Sequence, residues 1–472
     1  MTDVPSTRLR VAIVGLGPSG AYAAGHLLAN GDLDVHVDAF ERLLTPWGLV
    51  RSGVAPDHPN IKTVTRVYDK TAADPRFTYR GNVELGRDVS REDLLARYHA
   101  IIYAVGTPGD RPMAIPGEDL PGSAPATAFV GWYNGHPDLR DEVFDLSCRR
   151  AVVIGNGNVA IDVARMLTLT PAELARTDMA DHAMFALARS EIEEVVVVGR
   201  RGPEQAAFTN PELRELGALA GADVAVSANE VTVPDAFREH APSKASQRNL
   251  ALLAEYATRG RRGHAKRIAL RFLLSPTQIV GDRRVRGVEL VRNRLERADD
   301  GSLRAHPTTA RAVVSAGLVL RAVGYRGRPL PGVPFDAQRG VIANVGGRVV
   351  EPGGGPTREY VVGWAKRGPS GVIGTNKRCA QDTVRALVQD MVAGRLDAPI
   401  ADAGAVRDWA DDVASVPVTW ADWETLDRHE LQAGQRANRP RVKLTRVSDM
   451  LDVLHPAQRE DQGSAVLARF WA

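Results

Sequence analysis

The feature that most limits how this chain can fold is a motif that occurs twice: an apolar run, a glycine-rich turn and a helix-forming stretch. The first copy runs from Arg10–Val14 through GLGPSG into AYAAGHLLANG, and the second is AVVIGNGNVAIDVARML at Ala151–Leu167. A buried strand that passes through glycines into a helix is typical of the first half of a parallel βαβ unit. Two widely separated copies therefore predict two nucleotide-binding domains of similar architecture.

Other apolar runs allow these two units to be assigned to domains. IIYAVGTPG at Ile101–Gly109 and LVLRAVGYRG at Leu318–Gly327 both end in glycine breaks, so we expect the chain to cross between domains there. We predict an α/β fold of two Rossmann-like, doubly wound, three-layer dinucleotide-binding domains, with the second inserted into the first. The expected bounds are 1–107 and 322–472 for the first domain, which includes a C-terminal helical segment, and 108–321 for the second.

Composition excludes several classes of protein. The chain has 472 residues, of which 44% are hydrophobic and 25% charged, with a net charge of +3; these values are typical of a globular protein of two or three domains. The only cysteines are Cys148 and Cys379, which excludes a disulfide framework, a CxxC redox pair and a four-cysteine iron–sulfur cluster within this chain. No His/Cys/Asp cluster has metal-ligand spacing, so we expect no metal site.

The sequence also bears on location and assembly. The first residues, MTDVPSTRLR, lack the apolar core of a signal peptide. No apolar run approaches the ~18 residues of a membrane span. We therefore expect a cytoplasmic protein without an integral membrane segment, which fits the low cysteine content, and we expect a monomer.

The first unit carries the spacing of a dinucleotide-binding turn. Gly15, Gly17 and Gly20 form a GxGxxG pattern between a strand and a helix, where glycines allow a tight turn, the approach of a diphosphate and close helix packing. Glu41 follows about 20 positions later, at the end of the next predicted strand. A carboxylate there accepts hydrogen bonds from ribose hydroxyls, so the site suits an adenosine with a free 2′-hydroxyl. The alternative is a glycine turn that binds nothing.

The second unit differs at the corresponding place. Its pattern is Gly155, Gly157 and Ala160, and its next strand, the valine run of EVVVVGRRG, ends at Arg200 and Arg201. A 2′-phosphate is a dianion, and guanidinium groups bind it as forked donors. The arginine pair therefore predicts an NADP(H) site. The alternative is a solvated basic turn with one arginine packed along the end of the strand.

A free-2′-hydroxyl site beside an NADP(H) site indicates a redox pair. NADPH delivers a hydride, and FAD is the usual acceptor that binds through such a fingerprint. The loop TPWGLVRSGVAPDHPNIK at Thr45–Lys62 offers glycines for close backbone approach and prolines for a rigid wall around a flat flavin ring. Gly371, Val372 and Ile373 precede a predicted helix, so we expect their amides to face the electron-rich pyrimidine edge of that ring.

Longer stretches carry a family resemblance that covers nearly the whole chain. GLGPSG, TPWGLVRSGVAPDHP, IPGEDLPG, VIGNGNVAIDVAR, VVGRRGPEQAAFTNPELREL and VVGWAKRGPSGVIGTNK closely resemble the adrenodoxin-reductase type of ferredoxin–NADP reductase. The resemblance implies non-covalent FAD, a hydride taken from NADPH, and electrons passed singly to a separate iron–sulfur protein such as a ferredoxin.

The same resemblance implies specific site residues. The implied FAD contacts are Ser19, Gly20, Glu41, Leu49, Val89, Trp364 and Gly371–Ile373. The implied NADP contacts are Asn156, Gly157, Asn158, Val159, Arg200, Arg201 and Glu212, with Gly371 close to the nicotinamide. His58 and Glu212 match polar residues that lie beside the flavin–nicotinamide contact in members of the family.

The catalytic assignments follow from what hydride transfer needs. It requires two rings at contact distance with water excluded, and no acid or base on the carbon. We therefore assign His58 and Glu212 as orienting or proton-handling groups. The alternatives are a loop histidine bonded to a nearby carbonyl and a solvated carboxylate in the first turn of a helix that starts at Pro211. Trp364 is expected at the flavin, with a core aromatic as the alternative.

A basic stretch is a candidate for partner binding. Between about Ala220 and Arg311 we expect short strands and a basic segment, and Ala257–Arg271 has six Arg or Lys residues and no acidic one. Ferredoxins are typically acidic, so this segment predicts docking of an acidic ferredoxin or similar iron–sulfur protein. A solvated loop is the alternative. The segment lacks interleaved aromatics, which argues against nucleic-acid binding.

Two other functions remain open at the level of sequence. The same cofactors would serve an NADPH-dependent flavin monooxygenase or oxidase that gives electrons to oxygen. A non-catalytic flavin subunit of a larger complex is the second alternative, although such subunits carry cysteine-rich cluster segments that this chain lacks.

Overall fold

The computed structural model describes residues 9–31, 33–231, 243–351, 353–354, 356–396, 399, 401–414 and 416–456. Residues 1–8 lie outside the described part. They make up most of MTDVPSTRLR, the stretch in which we expected no signal peptide. The first described elements in chain order are β1 (Leu9–Val14), α1 (Pro18–Leu28), β2 (Val35–Glu41), α2 (Leu49–Ser52), α3 (Pro59–Lys62), α4 (Thr65–Ala72), β3 (Phe77–Gly81), α5 (Arg91–Arg97) and β4 (Ala100–Tyr103).

The middle of the chain follows with seven helices and ten strands in its described part. The strands are β5 (Gly109–Asp110), β6 (Ser123–Pro125), β7 (Arg150–Ile154), β8 (Glu194–Val198), β9 (Ala222–Val226), β10 (Lys266–Arg271), β11 (Leu274–Val280), β12 (Gly287–Arg297), β13 (Leu303–Ser315) and β14 (Leu318–Arg321). The helices are α6 (Ala126–Asn134), α7 (Asn158–Thr168), α8 (Pro171–Leu174), α9 (Asp181–Ala188), α10 (Asn210–Leu216), α11 (Ala228–Val231) and α12 (Lys244–Thr258).

The last part of the chain contains short strands and then helices. The strands are β15 (Tyr325–Arg326), β16 (Phe335–Asp336), β17 (Val341–Ile342), β18 (Asn344–Val345), β19 (Arg348–Val350) and β20 (Pro356–Val361). The helices are α13 (Trp364–Arg367), α14 (Ile373–Val392), α15 (Ala403–Asp412), α16 (Trp420–Arg436) and α17 (Val447–Leu454).

Strands from both ends of the chain build one sheet. The described residues form a seven-stranded sheet in the order β18-β19-β20-β4-β1-β2-β3. From β20 to β3 the neighbours are parallel, and β18 and β19 add an antiparallel edge. Val14 pairs with both Phe40 and Tyr103, so the carboxyl ends of three strands meet at the edge where the first glycine turn lies.

The middle of the chain builds the second parallel sheet. Its described strands lie in the order β6-β14-β7-β8-β10-β9, and Ile154 at the end of β7 pairs with Val198 and Arg321. Two parallel sheets, one formed from the segment between the two parts of the other, confirm the predicted α/β class and the inserted arrangement. The residue bounds given above for the two domains remain a prediction.

Burial on both faces explains the valine run of β8. Val195 and Val197 belong to the core that includes α7 and α10, whereas Val196 and Val198 belong to a separate core on the other face. Successive side chains of a strand point to opposite faces, so a strand buried on both sides needs apolar residues throughout. β8 is therefore an interior strand covered on both faces.

The layer on the second face of this sheet differs from the sequence expectation. An antiparallel sheet β11-β12-β13 supplies its core residues, including Leu274, Val288 and Leu290. The expectation of only short strands between Ala220 and Arg311 is wrong for β12 and β13, which have 11 and 13 residues, and it also omitted α12. Leu303 is the one buried residue of β13, so this strand lacks the alternation of buried apolar and exposed polar residues by which a strand is recognised in a sequence.

Candidate active site

The first glycine turn has the geometry that the fingerprint requires. Gly15 has φ +95°, in the region that favours glycine, and its amide donates to the Phe40 carbonyl at 2.7 Å. A Cβ at Gly20 would overlap the Gly15 carbonyl oxygen, so only glycine lets α1 lie this close to β1. Gly17 is the N-cap of α1 and makes no side-chain capping hydrogen bond.

Glu41 lies at the edge of this turn. Its Oε2 accepts from the Leu16 amide at 2.8 Å and its Oε1 accepts from the Leu43 amide at 3.1 Å. Burial raises the pKa of Glu41, and these backbone hydrogen bonds oppose that shift. The carboxylate is therefore held in one orientation, and it retains lone pairs for a ribose hydroxyl.

The loop after β2 packs against the same turn. The Trp47 amide donates to the Leu16 carbonyl at 2.9 Å. Gly48 has φ +47°, and a Cβ there would lie 3.1 Å from the Gly17 Cα. Leu49 begins α2 and is 39% exposed, whereas Val89, in the loop before α5, is buried. The two predicted apolar contacts therefore differ in accessibility.

The C-terminal part of the first sheet returns to this turn. The backbone at Gly363 leaves no room for a Cβ beside the Ser19 hydroxyl. Trp364 follows, and its buried Nε1 has no hydrogen-bond partner among the described residues. The Trp364 and Tyr325 rings lie 5.1 Å apart at 49°. Buried N–H groups normally have an acceptor, so an unpaired one beside the glycine turn fits a tryptophan that donates to a bound cofactor.

The Gly371–Ile373 segment leads into α14. Gly371 has φ +80°, and the Val372 amide donates to Thr375 Oγ1 at 3.2 Å. Within the described part of the chain, the amides of Gly371 and Ile373 have no acceptor. These two amides are thus the ones free to face a ligand at the N-terminus of α14.

The second glycine turn repeats the first with different neighbours. The Gly155 amide donates to the Val198 carbonyl at 2.8 Å, and the side chain of Asn156 packs against Gly199. Asn158 Oδ1 accepts from the Thr209 amide at 2.8 Å. Gly157 caps α7 without a side-chain hydrogen bond, and Val159, in the first turn of that helix, is half-buried.

Arg200 and Arg201 lie directly beyond β8, next to this turn. Arg200 is exposed, and its guanidinium has no partner among the described residues. Arg201 Nη2 makes one long contact, 3.5 Å to the Gln205 carbonyl. Among the described residues neither arginine forms an ion pair. One guanidinium without a described partner and one with a single long contact, beside an uncapped helix N-terminus, fit a phosphate-bearing dinucleotide.

His58 meets carboxylates from the second sheet's helices. Its Nε2 lies 2.7 Å from Glu215 Oε2 and 3.8 Å from Glu212 Oε2. The structure therefore brings His58 and Glu212 close together, and among the described residues the His58 ring contacts carboxylates rather than a loop carbonyl. One nitrogen and two carboxylate oxygens from these three residues lie within 4.8 Å of one another.

A guanidinium occupies the centre of that group. Arg165 Nη1 donates to Glu215 Oε2 at 2.6 Å and to Glu212 Oε2 at 3.2 Å, so the same two oxygens that could bind a cation already share one. Burial raises the pKa of Asp162 beside it well above the usual range, against the opposing charge of Arg165. Within the cluster, burial and the charge of Arg165 therefore act in opposite directions on the Asp162 carboxyl group.

The residues present fit the two dinucleotides expected from the sequence. Both helix N-termini at the glycine turns lack a side-chain cap, which leaves first-turn amides for a diphosphate. Glu41 adjoins the first turn and the Arg200–Arg201 pair adjoins the second. The side chains that adjoin the two glycine turns therefore carry opposite charge.

Comparison with known proteins identifies the family. No family model matches the chain. NADPH-ferredoxin reductase FprA of Mycobacterium tuberculosis (strain ATCC 25618 / H37Rv) is 50% identical over 455 residues, which cover 94% of this chain and 98% of that protein. The chain belongs to the NADPH-ferredoxin reductase family.

Other members support this assignment. The mitochondrial NADPH:adrenodoxin oxidoreductase of Salvelinus fontinalis is 41% identical over 466 residues, covering 96% of this chain and 92% of that protein. The solved structure of Mycobacterium tuberculosis FprA in complex with NADPH superposes with a TM-score of 0.89 at 49% identity, covering 94% of this chain and 99% of that chain. The resemblance noted in the sequence is confirmed.

The basic segment Ala257–Arg271 of this chain lies mainly away from its two glycine turns. Lys266 begins β10 at the amino edge of the second sheet, and its ammonium donates to the Leu167 carbonyl at 2.9 Å. Arg262 lies 3.6 Å from Asp223, and Arg271 pairs with Glu230 at 2.9 Å. Much of the basic charge is therefore engaged within the chain.

Sequence reasoning missed part of the cluster around His58. Glu215 lies one helical turn beyond Glu212 on α10, a spacing that places both carboxylates on one face and could have indicated it. Asp57 adjoins His58 in the sequence. Arg165 lies among apolar residues of α7, and nothing local shows what it binds.

As for the membrane, the described residues contain no helix with both the length and the apolar composition to cross it.

Proposed function

We propose that the chain is an NADPH:ferredoxin oxidoreductase with FAD at the first glycine turn and NADP(H) at the second. When bound, FAD accepts a hydride from NADPH and releases electrons singly to a separate iron–sulfur protein. The observation that carries the proposal is the contrast between Glu41 at one turn and the Arg200–Arg201 pair at the other. That contrast provides for two different dinucleotides in one chain.

The residues of the first site have distinct tasks in this proposal. Gly15, Gly17 and Gly20 admit the diphosphate of FAD, Glu41 accepts from its ribose, and Trp364 donates through Nε1. The remaining FAD contacts are Ser19, Leu49, Val89, Gly371, Val372 and Ile373. The free amides of Gly371 and Ile373 stabilise negative charge at the N-terminus of α14.

The second site binds the nucleotide that supplies the hydride. Arg200 and Arg201 bind the 2′-phosphate, which NADH lacks, and so determine the preference for NADPH. The remaining NADP contacts are Gly155, Asn156, Gly157, Asn158, Val159 and Glu212. The diphosphate is held by the uncapped N-terminus of α7.

His58 and Glu212 act beside the reacting rings in this proposal. Their burial and their mutual distance of 3.8 Å support a role in orienting the nicotinamide and excluding water. His58 also handles a proton, since its Nε2 faces Glu215, whose side chain is 47% exposed. That exposed carboxylate gives a route between the ring and solvent.

The partner and cellular setting belong to the same proposal. An acidic ferredoxin is the electron acceptor, and the basic segment Ala257–Arg271 steers its approach by long-range attraction. The protein acts as a cytoplasmic monomer. The FAD domain comprises residues 1–107 and 322–472, and the NADP domain comprises residues 108–321, a division that the membership of the two sheets supports.

Rapid mixing tests this proposal directly. The FAD-loaded protein is mixed with NADPH under anaerobic conditions, flavin absorbance is followed, and oxidised ferredoxin is then titrated in. We expect fast bleaching by NADPH, slower bleaching by NADH, and reoxidation in proportion to the added ferredoxin. A protein that purifies without flavin, or that NADPH does not bleach, would contradict the proposal.

The alternative acceptors are tested in the same experiment. Rapid reoxidation by oxygen with an organic substrate, and none by ferredoxin, would instead indicate a monooxygenase or oxidase. Failure of the isolated chain to reduce ferricyanide with NADPH would indicate a non-catalytic subunit.

A further inference from the structure

One arginine at the junction of the two sheets has no task in the function proposed above. Arg165 lies near the end of α7, and its side chain is only 1% exposed. A buried guanidinium is costly unless its donors are matched by acceptors. Burial opposes its charge, yet the surrounding carboxylates raise the pKa of Arg165. The arginine is therefore a permanent cation inside the protein.

Four carboxylates from three segments surround it. Arg165 Nη2 donates to Asp162 Oδ1 at 2.7 Å and to Asp57 Oδ1 at 3.2 Å. Nη1 donates to Glu215 and Glu212 on α10 at 2.6 and 3.2 Å. Asp57 comes from the Thr45–Lys62 loop of the first sheet, whereas the other three come from helices of the second. The guanidinium fork thus spans the junction.

Two of its partners also hold His58. Asp57 precedes His58 in the chain, and Glu215 Oε2 lies 2.7 Å from His58 Nε2. The oxygen that His58 contacts is the one that Arg165 holds at 2.6 Å. A single guanidinium therefore sets both the backbone position of His58, through Asp57, and the direction of its imidazole, through Glu215.

We propose that Arg165 is a positioning residue for hydride transfer, which holds the loop carrying His58 against α10 where flavin and nicotinamide meet. This proposal rests on the proposed function, because it concerns the relative placement of the two binding sites. Displacement of about 1 Å can cost about 100-fold in rate. Without the cation, the four carboxylates would repel one another and the loop would separate from α10.

The test uses FAD-loaded Arg165→Met with Arg149→Met as its matched control. Arg149 has an 80% exposed side chain and pairs with Glu193, and the two residues directly precede β7 and β8. Three quantities are measured: the limiting rate of flavin reduction at saturating NADPH, the Kd for NADP+, and hydrogen–deuterium exchange of residues 54–62 and 210–216 without nucleotide.

We expect the limiting rate of Arg165→Met to fall by about tenfold or more, while the Kd changes less than about threefold. Exchange should rise in both segments and not in β7. Arg149→Met should match the wild type. Arg165→Lys restores a charge but not the fork, so its rate should lie between those of Arg165→Met and the wild type.

A wild-type limiting rate in Arg165→Met would overturn the positioning role, and so would equal losses in rate and affinity. If Arg165→Met does not fold, Asp57→Asn decides, because it weakens only the arm that reaches the loop. Unchanged rate and exchange in Asp57→Asn would overturn the proposal. A wild-type protein that NADPH does not reduce would instead overturn the proposed function itself.

Discussion

At the scale of single residues, the two glycine turns differ most in the side chains that end the neighbouring strand. Glu41 receives two backbone amides and is held in place, whereas Arg200 is exposed without a partner in the described part of the chain. A carboxylate near a ribose accepts hydrogen bonds from the hydroxyls but repels a phosphate. A guanidinium pair instead donates hydrogen bonds to a phosphate and attracts its charge. In the proposed function, the choice of nucleotide at each site therefore depends on one or two residues.

Replacing Arg200 and Arg201 together by alanine should weaken the binding of NADPH but not that of NADH. Loss of charge-assisted hydrogen bonds to the 2′-phosphate costs about 2–4 kcal/mol, which corresponds to a rise in KM for NADPH of roughly 30-fold or more. The KM for NADH should change little. Steady-state ferricyanide reduction with each nucleotide measures both values, and equal effects would contradict the 2′-phosphate assignment.

His99 should make stability depend on pH. Burial, with the charges of Arg10 and Arg358, lowers the pKa of His99 from 6.5 to about 4, and its Nδ1 accepts from the Arg10 amide at 3.0 Å. The folded ring is neutral, and the unfolded one gains a proton below pH 6.5. Its contribution to stability is therefore complete above pH 6.5 and is lost as the pH falls towards 4.

The variant His99→Gln keeps a hydrogen-bond acceptor but does not titrate. Between pH 7 and pH 5 its free energy of unfolding should fall by about 2 kcal/mol less than that of the wild type. Urea unfolding at both pH values measures the difference. Parallel losses in the two proteins would show that His99 is not the titrating group.

At the scale of elements, the two strand–turn–helix units are similar but not equally tight. In the first, Gly20 faces the Gly15 carbonyl oxygen with no room for a methyl group. In the second, Ala160 occupies the corresponding place and is fully buried. Helix α1 therefore approaches its turn more closely than α7 does, a difference that the permitted glycine or alanine in the fingerprint allows.

Exchanging these residues tests the difference. Gly20→Ala should force α1 away from β1, which costs about 1–3 kcal/mol as in other overpacked sites, and should lower the FAD content of the purified protein. Ala160→Gly should cost only about 1 kcal/mol through helix propensity and leave FAD bound. Thermal unfolding and flavin absorbance measure both effects. Normal flavin content in Gly20→Ala would contradict the assigned close packing.

At the scale of the whole molecule, α16 and the segment that follows it join the two sheets. Glu430 on α16 is 1% exposed in its side chain and accepts from Arg51 at 2.6 and 2.8 Å and from Arg441 at 2.9 Å. Lys443 is equally buried and donates to Asn134 Oδ1 at 3.2 Å in the helix before β7. The segment therefore contacts the loop after β2 and the second sheet's helices together.

Neutralising Glu430 should destabilise the protein globally. Glu430→Gln removes the buried counter-charge of Arg51 and one of the two carboxylates that pair with Arg441, which keeps Asp427 at 2.8 Å. Breaking an ion pair whose carboxylate is buried costs about 3–5 kcal/mol. Glu424→Gln is the control, since Glu424 is exposed on the same helix and, within the described residues, accepts a hydrogen bond from Trp420 Nε1 alone, at 3.0 Å. Urea unfolding of both variants should separate them by several kcal/mol. Equal stability would show that the C-terminal contacts do not hold the domains together.

Much of the fold followed from local pattern. The units at Gly15 and Gly155 are each continuous in sequence, so strand, turn and helix could be recognised from spacing. The antiparallel layer formed by β12 and β13 was not recognised as long strands, because β13 is exposed over nearly its whole length and its apolar residues do not alternate with polar ones. Helix α12 was missed beside the basic segment that follows it.

The sequence by itself determined the class of fold, the two nucleotide turns and the charge beside each, because these depend on residues close together along the chain. Only the tertiary structure decided the cluster in which Arg165, Glu215 and His58 meet. His58 and Glu215 are separated by 157 positions, and Asp57 and Arg165 by 108. Contacts over such separations depend on how two sheets pack, which no local spacing encodes.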